Sequence, residues 1–290
     1  MSTQITTSFV EQYSSNVTML SQQMGSKLRG AVDVETVRGK NAFFDQIGVT
    51  SASVRSGRHA DTPRVDTPHA RRRVSLADYE WADLIDDQDK VRMLIDPTSS
   101  YAKAAAAAMN RSIDDVIIAA FDGAAQTGVA GGTATPLPST SKFATSNQSD
   151  GMTIAKLRQA KFFFDNGSVD PSLKRYVVAG PKQIQDLLAT TEVTNADFNT
   201  VRALAAGEVN SFLGFDFIMS TRLSLDSTNT DDRKCFAFTE DAIKLAIGKD
   251  VSAKISERAD KSYATQVYYC MSIGATRMEE EKVFLLPCNE

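Results

Sequence analysis

GRHADTPRVDTPHARRRVSLADYEWADLIDDQDKVRMLIDP, residues Gly57–Pro97, holds both histidines of the chain, His59 and His69, and states the phrase Asp-Thr-Pro twice, at 61–63 and 66–68. Asp, Thr and Pro punctuate turns, because proline presets φ and the short polar side chains bond the local backbone. On its N-terminal side lie the β-like runs VDVETV (32–37) and NAFFDQIGV (41–49). On its C-terminal side Val74 and Leu76 alternate with polar neighbours. Two extended runs around a proline-punctuated tip predict a long hairpin or two-stranded arm.

The charge along this arm is lopsided. From 55 to 73 there are six arginines (Arg55, Arg58, Arg64, Arg71, Arg72 and Arg73) against Asp61 and Asp66. From 78 to 96 there are seven acids (Asp78, Glu80, Asp83, Asp86, Asp87, Asp89 and Asp96) against Lys90 and Arg92. Neither block neutralises itself, and a positive loop with a negative foot on one chain suits head-to-tail contact between copies.

With 290 residues the chain forms one elaborate domain or two modest ones. Its 42% apolar and 23% charged residues are ordinary for a globular protein. A net charge of −4 argues against nucleic-acid binding by the whole surface. Cys235, Cys270 and Cys288 are far apart, odd in number and form no CxxC pair, so they read as buried or partly buried thiols in a reducing compartment. The first residues, MSTQITTSFVEQYSSN, lack the basic and apolar regions of a signal peptide. No apolar run approaches the roughly 18 residues of a membrane helix, so a soluble protein that begins in the cytoplasm is expected.

Beyond the arm, Phe9, Tyr13, Val17 and Leu20 share one face of a helix too thin to stand alone, an arm that docks on something. DPTSSYAKAAAAAMNRSIDDVIIAAFDGAAQTG (96–128) predicts a long helix, with Asp96 as cap, Pro97 in the first turn and Gly128 as its end. Tyr101, Ala105, Ala108, Ser112, Val116, Ala119 and Ala120 line one side of it. At 1.5 Å per residue this rod is about 45 Å long. A Gly-, Ser-, Thr- and Pro-rich loop follows, then a helix over MTIAKLRQAKFFFDN (152–166), capped by Thr153 and stopped by Gly167. RYVVAGPKQIQDLLAT (175–190) reads as strand, turn and helix, and GEVNSFLGFDFIMSTRL (207–223) as two strands around Gly214. KCFAFTEDAIKLAIGKD (234–250) predicts a second strand-to-helix change, and YATQVYYCMSIGATRMEEEKVFLLPC (263–288) two strands around Gly274. The class is α+β.

Motifs that carry chemistry are missing. Ten residues separate His59 from His69, too loose for a metal pair, and DDQDKVRMLIDP (86–97) has no central glycine and ends in proline where a calcium loop needs Glu. GVAGG (128–132) has neither dinucleotide-loop spacing nor a Walker lysine, and it follows a helix. There is no GxSxG, and neither histidine stands beside a nucleophile. No aromatic residues interleave with Arg71–Arg73 as they do in RNA-binding signatures, so contact with an acidic protein surface is favoured over nucleic acid.

Taken in order, arm, long two-stranded loop, spine helix, α/β subdomain with YVVAGPKQIQDLL and FLGFDFIMS, and returning strands resemble the major capsid proteins of tailed bacteriophages, with the HK97-type fold. The resemblance covers nearly the whole chain. It implies an N-terminal arm over 1–39, an extended E-loop over 40–90 lying across the neighbouring subunit, and a peripheral domain over 91–175 and 251–290 with a spine helix over 97–126. An α/β axial domain would span 176–250. It implies a structural protein, without catalytic residues, cofactor or metal, that assembles as hexamers and pentamers into an icosahedral virion shell around double-stranded DNA. Implied partners are further copies of the chain, a scaffolding protein, a portal, a decoration protein and, non-specifically, the packaged DNA; no membrane is involved. Assembly would take place in the host bacterial cytoplasm. Residues Arg55, Arg58, Arg64 and Arg71–Arg73 would meet the acids from Asp78 to Asp89 across the subunit boundary. Many relatives carry a long cleaved N-terminal segment, whereas only about 30 residues precede the β region here, so a separate scaffold or an already mature chain is expected. Lys40 and Asn41 carry no crosslinking signature. An encapsulin-like cargo compartment of the same fold is the alternative, and a soluble α+β enzyme with an unrecognised site is a third reading.

Overall fold

The structure, a computed structural model, describes residues 21–59, 61–62, 64–86, 98–143, 150–189, 211–226 and 231–290. Among them stand three α-helices and thirteen strands. In chain order the first strands are β1 (Asp33–Thr36), β2 (Asn41–Ile47), β3 (His69–Ser75) and β4 (Ala77–Ile85), followed by helix α1 (Thr98–Asp122). Then come β5 (Ala125–Thr127), β6 (Thr133–Thr135), α2 (Ile154–Asn166), β7 (Arg175–Ala179), α3 (Pro181–Ala189), β8 (Ser211–Phe212) and β9 (Phe215–Met219). The chain closes with β10 (Asp232–Thr239), β11 (Ile243–Arg258), β12 (Ala264–Arg277) and β13 (Val283–Asn289).

The expected hairpin is present. β2 and β3 pair antiparallel from Asn41↔Ser75 to Ile47↔His69, and a Gly48 N–H to Pro68 O bond of 2.8 Å closes the base of the loop between them. Alternation puts Phe44 and Val74 on one face, where they join Val37 and Ala246 in a small core fringed by Ala42, Leu76 and Met278. Beyond the base the described residues of the loop, up to Pro68, are all exposed. The sequence treated 129–150 as a loop, but its first part adds two more strands, giving the order β2-β3-β5-β6. Two glycines with positive φ, Gly128 at 92° and Gly131 at 62°, turn the chain between β5 and β6. Gly131 is also confined by contact: a Cβ there would stand 2.5 Å from the Cβ of Arg73.

A five-stranded mixed sheet, β13-β10-β7-β9-β8, holds the largest core. Strands β10 and β13 are buried on both faces, so they read as continuous apolar runs (CFAF, VFLL) instead of alternating ones. Phe121 at the end of α1 covers one face, its ring 4.9 Å from Phe236 and 4.7 Å from Phe238. Helix α2 covers the other through Phe163 on Phe284, 4.8 Å, and Phe164 on Phe215, 6.1 Å. Burying one such phenylalanine contributes about 2 kcal/mol or more. Thr153 caps α2, accepting from Lys156 N–H, and Gly167 ends it with its N–H on Phe163 O, as expected.

Other expectations need correction. α1 ends at Asp122, since residues from Ala125 are recruited into β5, so Gly128 belongs to a hairpin. Pro97, like residues 1–20 with their expected helix, lies outside the described residues. The buried stripe of α1 runs through Ile113, Ile117 and Phe121 at i, i+4 spacing, while Ala119 is exposed. Ala105 of the expected stripe is buried too, with Ala107 and Met109, so large apolar side chains select the face only toward the C-terminal end of the helix. The expected helix after KCFAF is strand β11, which pairs in parallel with β1 from Asp33↔Lys244 to Thr36↔Ile247. Gly274 makes no turn: β12 passes straight through it, because a Cβ there would meet Ser75 O at 2.5 Å. The turn comes at Glu280–Lys282, a single 3-10 turn.

By packing, the chain divides into two compact units. One comprises the described residues of Met1–Gly25, Asp78–Arg111 and Lys249–Met271 and holds most of β4 and the distal part of the β11–β12 hairpin. The other, Ser26–Ala77, Ser112–Gly248 and Ser272–Glu290, holds the β2–β3 hairpin and the five-stranded sheet.

Candidate assembly surface

The six arginines of the loop and its base do not form one cluster. Arg71, in β3, faces Asp45 across the ladder, with Nη2 donating to Oδ2 at 3.1 Å, and stacks over Phe43 at 5.5 Å. Hydrogen bonding from Arg71 holds the Asp45 carboxyl below the usual carboxylate range. Arg72 alternates to the inner side, is buried, and donates from Nη2 to Glu280 Oε2 at 2.7 Å. Arg73 lies against Gly131. Arg71 and Arg72 therefore each have a carboxylate partner in their own subunit. Arg55 wraps back on its own loop, donating from Nε to Gly57 O at 2.7 Å. Arg58 and Arg64 are exposed, and among the described residues neither has a carboxylate partner.

The acidic residues sit on β4. Asp78 and Glu80 point to the exposed face, Glu80 accepting from Tyr268 Oη at 3.2 Å. Asp83 is half-buried and accepts from the Leu84 N–H at 2.9 Å, and Asp86 is exposed just beyond the strand. Asp87 and Asp89 lie outside the described residues. Arginines and acids belong to different compact units.

Three polar anchors went unseen in the sequence. Arg277, fully buried, donates from Nη1 to Phe121 O at 2.8 Å and Gly123 O at 2.9 Å, and from Nη2 to Thr135 O at 3.1 Å. It satisfies the orphan carbonyls at the end of α1, where the helix dipole favours a cation. Burial lowers the pKa of its guanidinium below the ordinary value, against the attraction of Glu280. Buried Asp114 accepts from Ser26 Oγ at 2.6 Å and from the N–H groups of Lys27 and Leu28, each at 3.1 Å. Lys156, buried, donates to Asp150 O at 2.7 Å and Pro287 O at 2.8 Å. None of the three carries a local signature in the sequence.

No group of three or more metal-ligating side chains occurs among the described residues. Two shallow clefts open on the surface: one of about 560 Å³ between Asp45, His69, Arg71 and Val129, and one of about 380 Å³ between Asp115, Asp122, Arg222 and Phe236. These are features of a surface, without a nucleophile beside a base.

The family model described as phage capsid protein matches residues 5–290. The chain belongs to that family. Solved structures with the same fold include the capsid of cyanophage P-SCSP1u, 18% identical, with a TM-score of 0.75 over 97% of this chain and 93% of that one. The capsid of Ralstonia phage GP4 is 9% identical, with a TM-score of 0.73 over 97% and 95%. The head structure of Helicobacter pylori bacteriophage KHP40 is 11% identical, with a TM-score of 0.73 over 97% and 96%. No curated protein matches the sequence. At such low identity the structural likeness speaks for the α+β capsid fold, and membership in the family comes from the sequence itself.

Proposed function

We propose that this phage capsid protein is the major shell subunit of a tailed phage, closing as hexamers and pentamers into an icosahedral container for double-stranded DNA. The observation that carries the reading is the family match over residues 5–290. The hairpin whose loop leaves its core behind at Ile47 supports it, because such a loop is stabilised by neighbours and not by its own interior. In this reading residues 40–90 are the E-loop, 1–39 the arm, α1 the spine helix of a peripheral domain over 91–175 and 251–290, and 176–250 the axial domain. Arg55, Arg58 and Arg64 reach acids of the next subunit, with Asp78, Glu80, Asp83 and Asp86 as the counterparts. Isolated surface pairs contribute little, under about 1 kcal/mol, but a closed shell repeats each one at every equivalent boundary.

A scaffolding protein, a portal and a decoration protein complete the assembly, which forms in the bacterial cytoplasm, and the inner surface touches the DNA without reading its sequence. Electron microscopy of the chain expressed with its scaffold tests the proposal. Closed particles of uniform diameter are expected; a protein that stays monomeric under those conditions overturns it.

A further inference from the structure

Lys249 on β11 and Cys270 on β12 stand on neighbouring strands of the order β1-β11-β12-β4, and Lys249 Nζ lies 3.0 Å from Cys270 Sγ. Ser252 Oγ is 3.2 Å from the same sulfur. Lys249 is exposed and Cys270 half-buried, so a small solute reaches the pair, whereas Cys235 and Cys288 are buried. An ammonium and a hydroxyl beside one sulfur favour its thiolate, and they hold the thiol below its ordinary pKa. A thiolate with solvent access is the form that peroxide oxidises first.

We propose that Cys270 and Lys249 form a modification site, at which hydrogen peroxide joins the two side chains through a sulfur–nitrogen bond. The thiolate attacks peroxide, the O–O bond breaks, and the sulfur, oxidised by two electrons, keeps one OH while hydroxide leaves. The Lys249 ammonium gives that hydroxide a proton and becomes an amine. Its nitrogen then attacks the sulfenic sulfur, the S–O bond breaks, and the departing hydroxide takes the proton that nitrogen sheds. In sum, thiolate, ammonium and one peroxide become a sulfenamide and two waters. Sulfenic acids condense with adjacent nitrogen in this way. Lysine ends a flexible stem, so the nitrogen closes the remaining distance without backbone movement.

The bond ties β11 to β12 at the root of residues 250–269, the distal part of the hairpin, on which Ile255 and Tyr263 are exposed. Thiols of a reducing compartment keep the tie open, and it closes where they are absent. This chemistry lies within one subunit and does not rest on the shell reading.

Peptide mass spectrometry of the native subunit, treated with hydrogen peroxide and digested without thiol, tests the proposal. Peptides holding Lys249 and Cys270 should run joined, two hydrogens lighter than their sum, and dithiothreitol should separate them. Lys249→Arg keeps the charge but offers a poor nucleophile, so its sulfenic acid should persist, be trapped by dimedone and yield no joined peptide. In the joined wild type, proteolysis within 250–269 should slow at least tenfold and recover with dithiothreitol. Cys270 found as sulfinic acid or as a disulfide, with Lys249 free, overturns the crosslink and leaves the shell reading standing.

Discussion

Ser26 Oγ stands 2.6 Å from Asp114 Oδ1, joining the start of the described N-terminal segment to the buried side of α1 across 88 residues of sequence. The same carboxylate takes the N–H groups of Lys27 and Leu28, and Ser26 Oγ in turn accepts from the Arg29 N–H at 3.1 Å. One side chain thus closes the first turn of Arg29–Ala31 and fixes where the preceding chain departs.

Asp114→Ala takes this acceptor from three donors, the buried Leu28 N–H and the partly buried Ser26 hydroxyl and Lys27 N–H. Charged hydrogen bonds of this kind contribute about 1.5–3 kcal/mol each in isolation and less than their sum together. A loss of about 3 kcal/mol is expected, measured by denaturant titration, with faster proteolysis around 26–31. An unchanged midpoint would show the network to be ornamental.

Arg277→Met removes the cation that closes the end of α1 and leaves Phe121 O and Gly123 O unpaired. Breaking up a buried, hydrogen-bonded charge costs about 3–5 kcal/mol. Arg277→Lys should recover little, because an ammonium cannot span the three carbonyls that the planar fork reaches. Thermal unfolding of both variants measures this.

The interior was legible where local and tertiary preferences agree. The hairpin followed from alternation around Asp-Thr-Pro, and α2 from Thr153 and Gly167, because each end carries its own chemistry. AIKLAIG (242–248) was read wrongly for a physical reason: Ile243, Ala246 and Ile247 satisfy helical spacing, and only sheet pairing, with β1 on one side of β11 and β12 on the other, makes the segment a strand. Gly274 looked like a turn because a glycine that makes way for Ser75 O is indistinguishable in sequence from one that bends the chain. Arg277 and Asp114 were invisible, since their partners lie more than 80 residues away. Of the basic cluster, the sequence exposed the charge but not that Arg71 and Arg72 are engaged at home.

Acid should weaken the subunit through Asp122. Burial alone would raise its pKa, but Lys234, 2.6 Å from Oδ2, and Lys142, 3.7 Å from Oδ1, outweigh that and lower it. A carboxyl whose folded pKa lies below its unfolded value contributes stability above the unfolded value, near 4, and that contribution is lost as pH falls through the folded one. Unfolding free energy measured from pH 6 to pH 2 should therefore fall less steeply in Asp122→Asn, which starts about 1 kcal/mol lower at neutral pH. Parallel curves would remove Asp122 from the account.

The three thiols should differ in reactivity. Cys288 beside it and full burial raise the Cys235 thiol well above its ordinary pKa, whereas half-exposed Cys270 is lowered, with Lys249 Nζ 3.0 Å and Ser252 Oγ 3.2 Å from its sulfur. A thiol reagent at pH 7.5 should label Cys270 at least tenfold faster than the other two in the native subunit, and Lys249→Met should narrow the gap. Equal labelling rates in mass spectrometry would contradict this.

Gly248 and Gly274 leave room for Leu76 and Ser75 where β3 hands over to β4, and the Gln46 side chain is tied to Met278 O at 2.8 Å. This crowded corner has no slack in which the root of the hairpin could swivel. On the proposed shell reading, a subunit arriving at a growing wall presents this finger already aimed, and only the fingertip surrenders freedom on landing. Adding one methyl group at Gly274 would misdirect that finger from a distance, so in that reading a defect in curvature of the finished container can originate at a residue buried inside a single subunit.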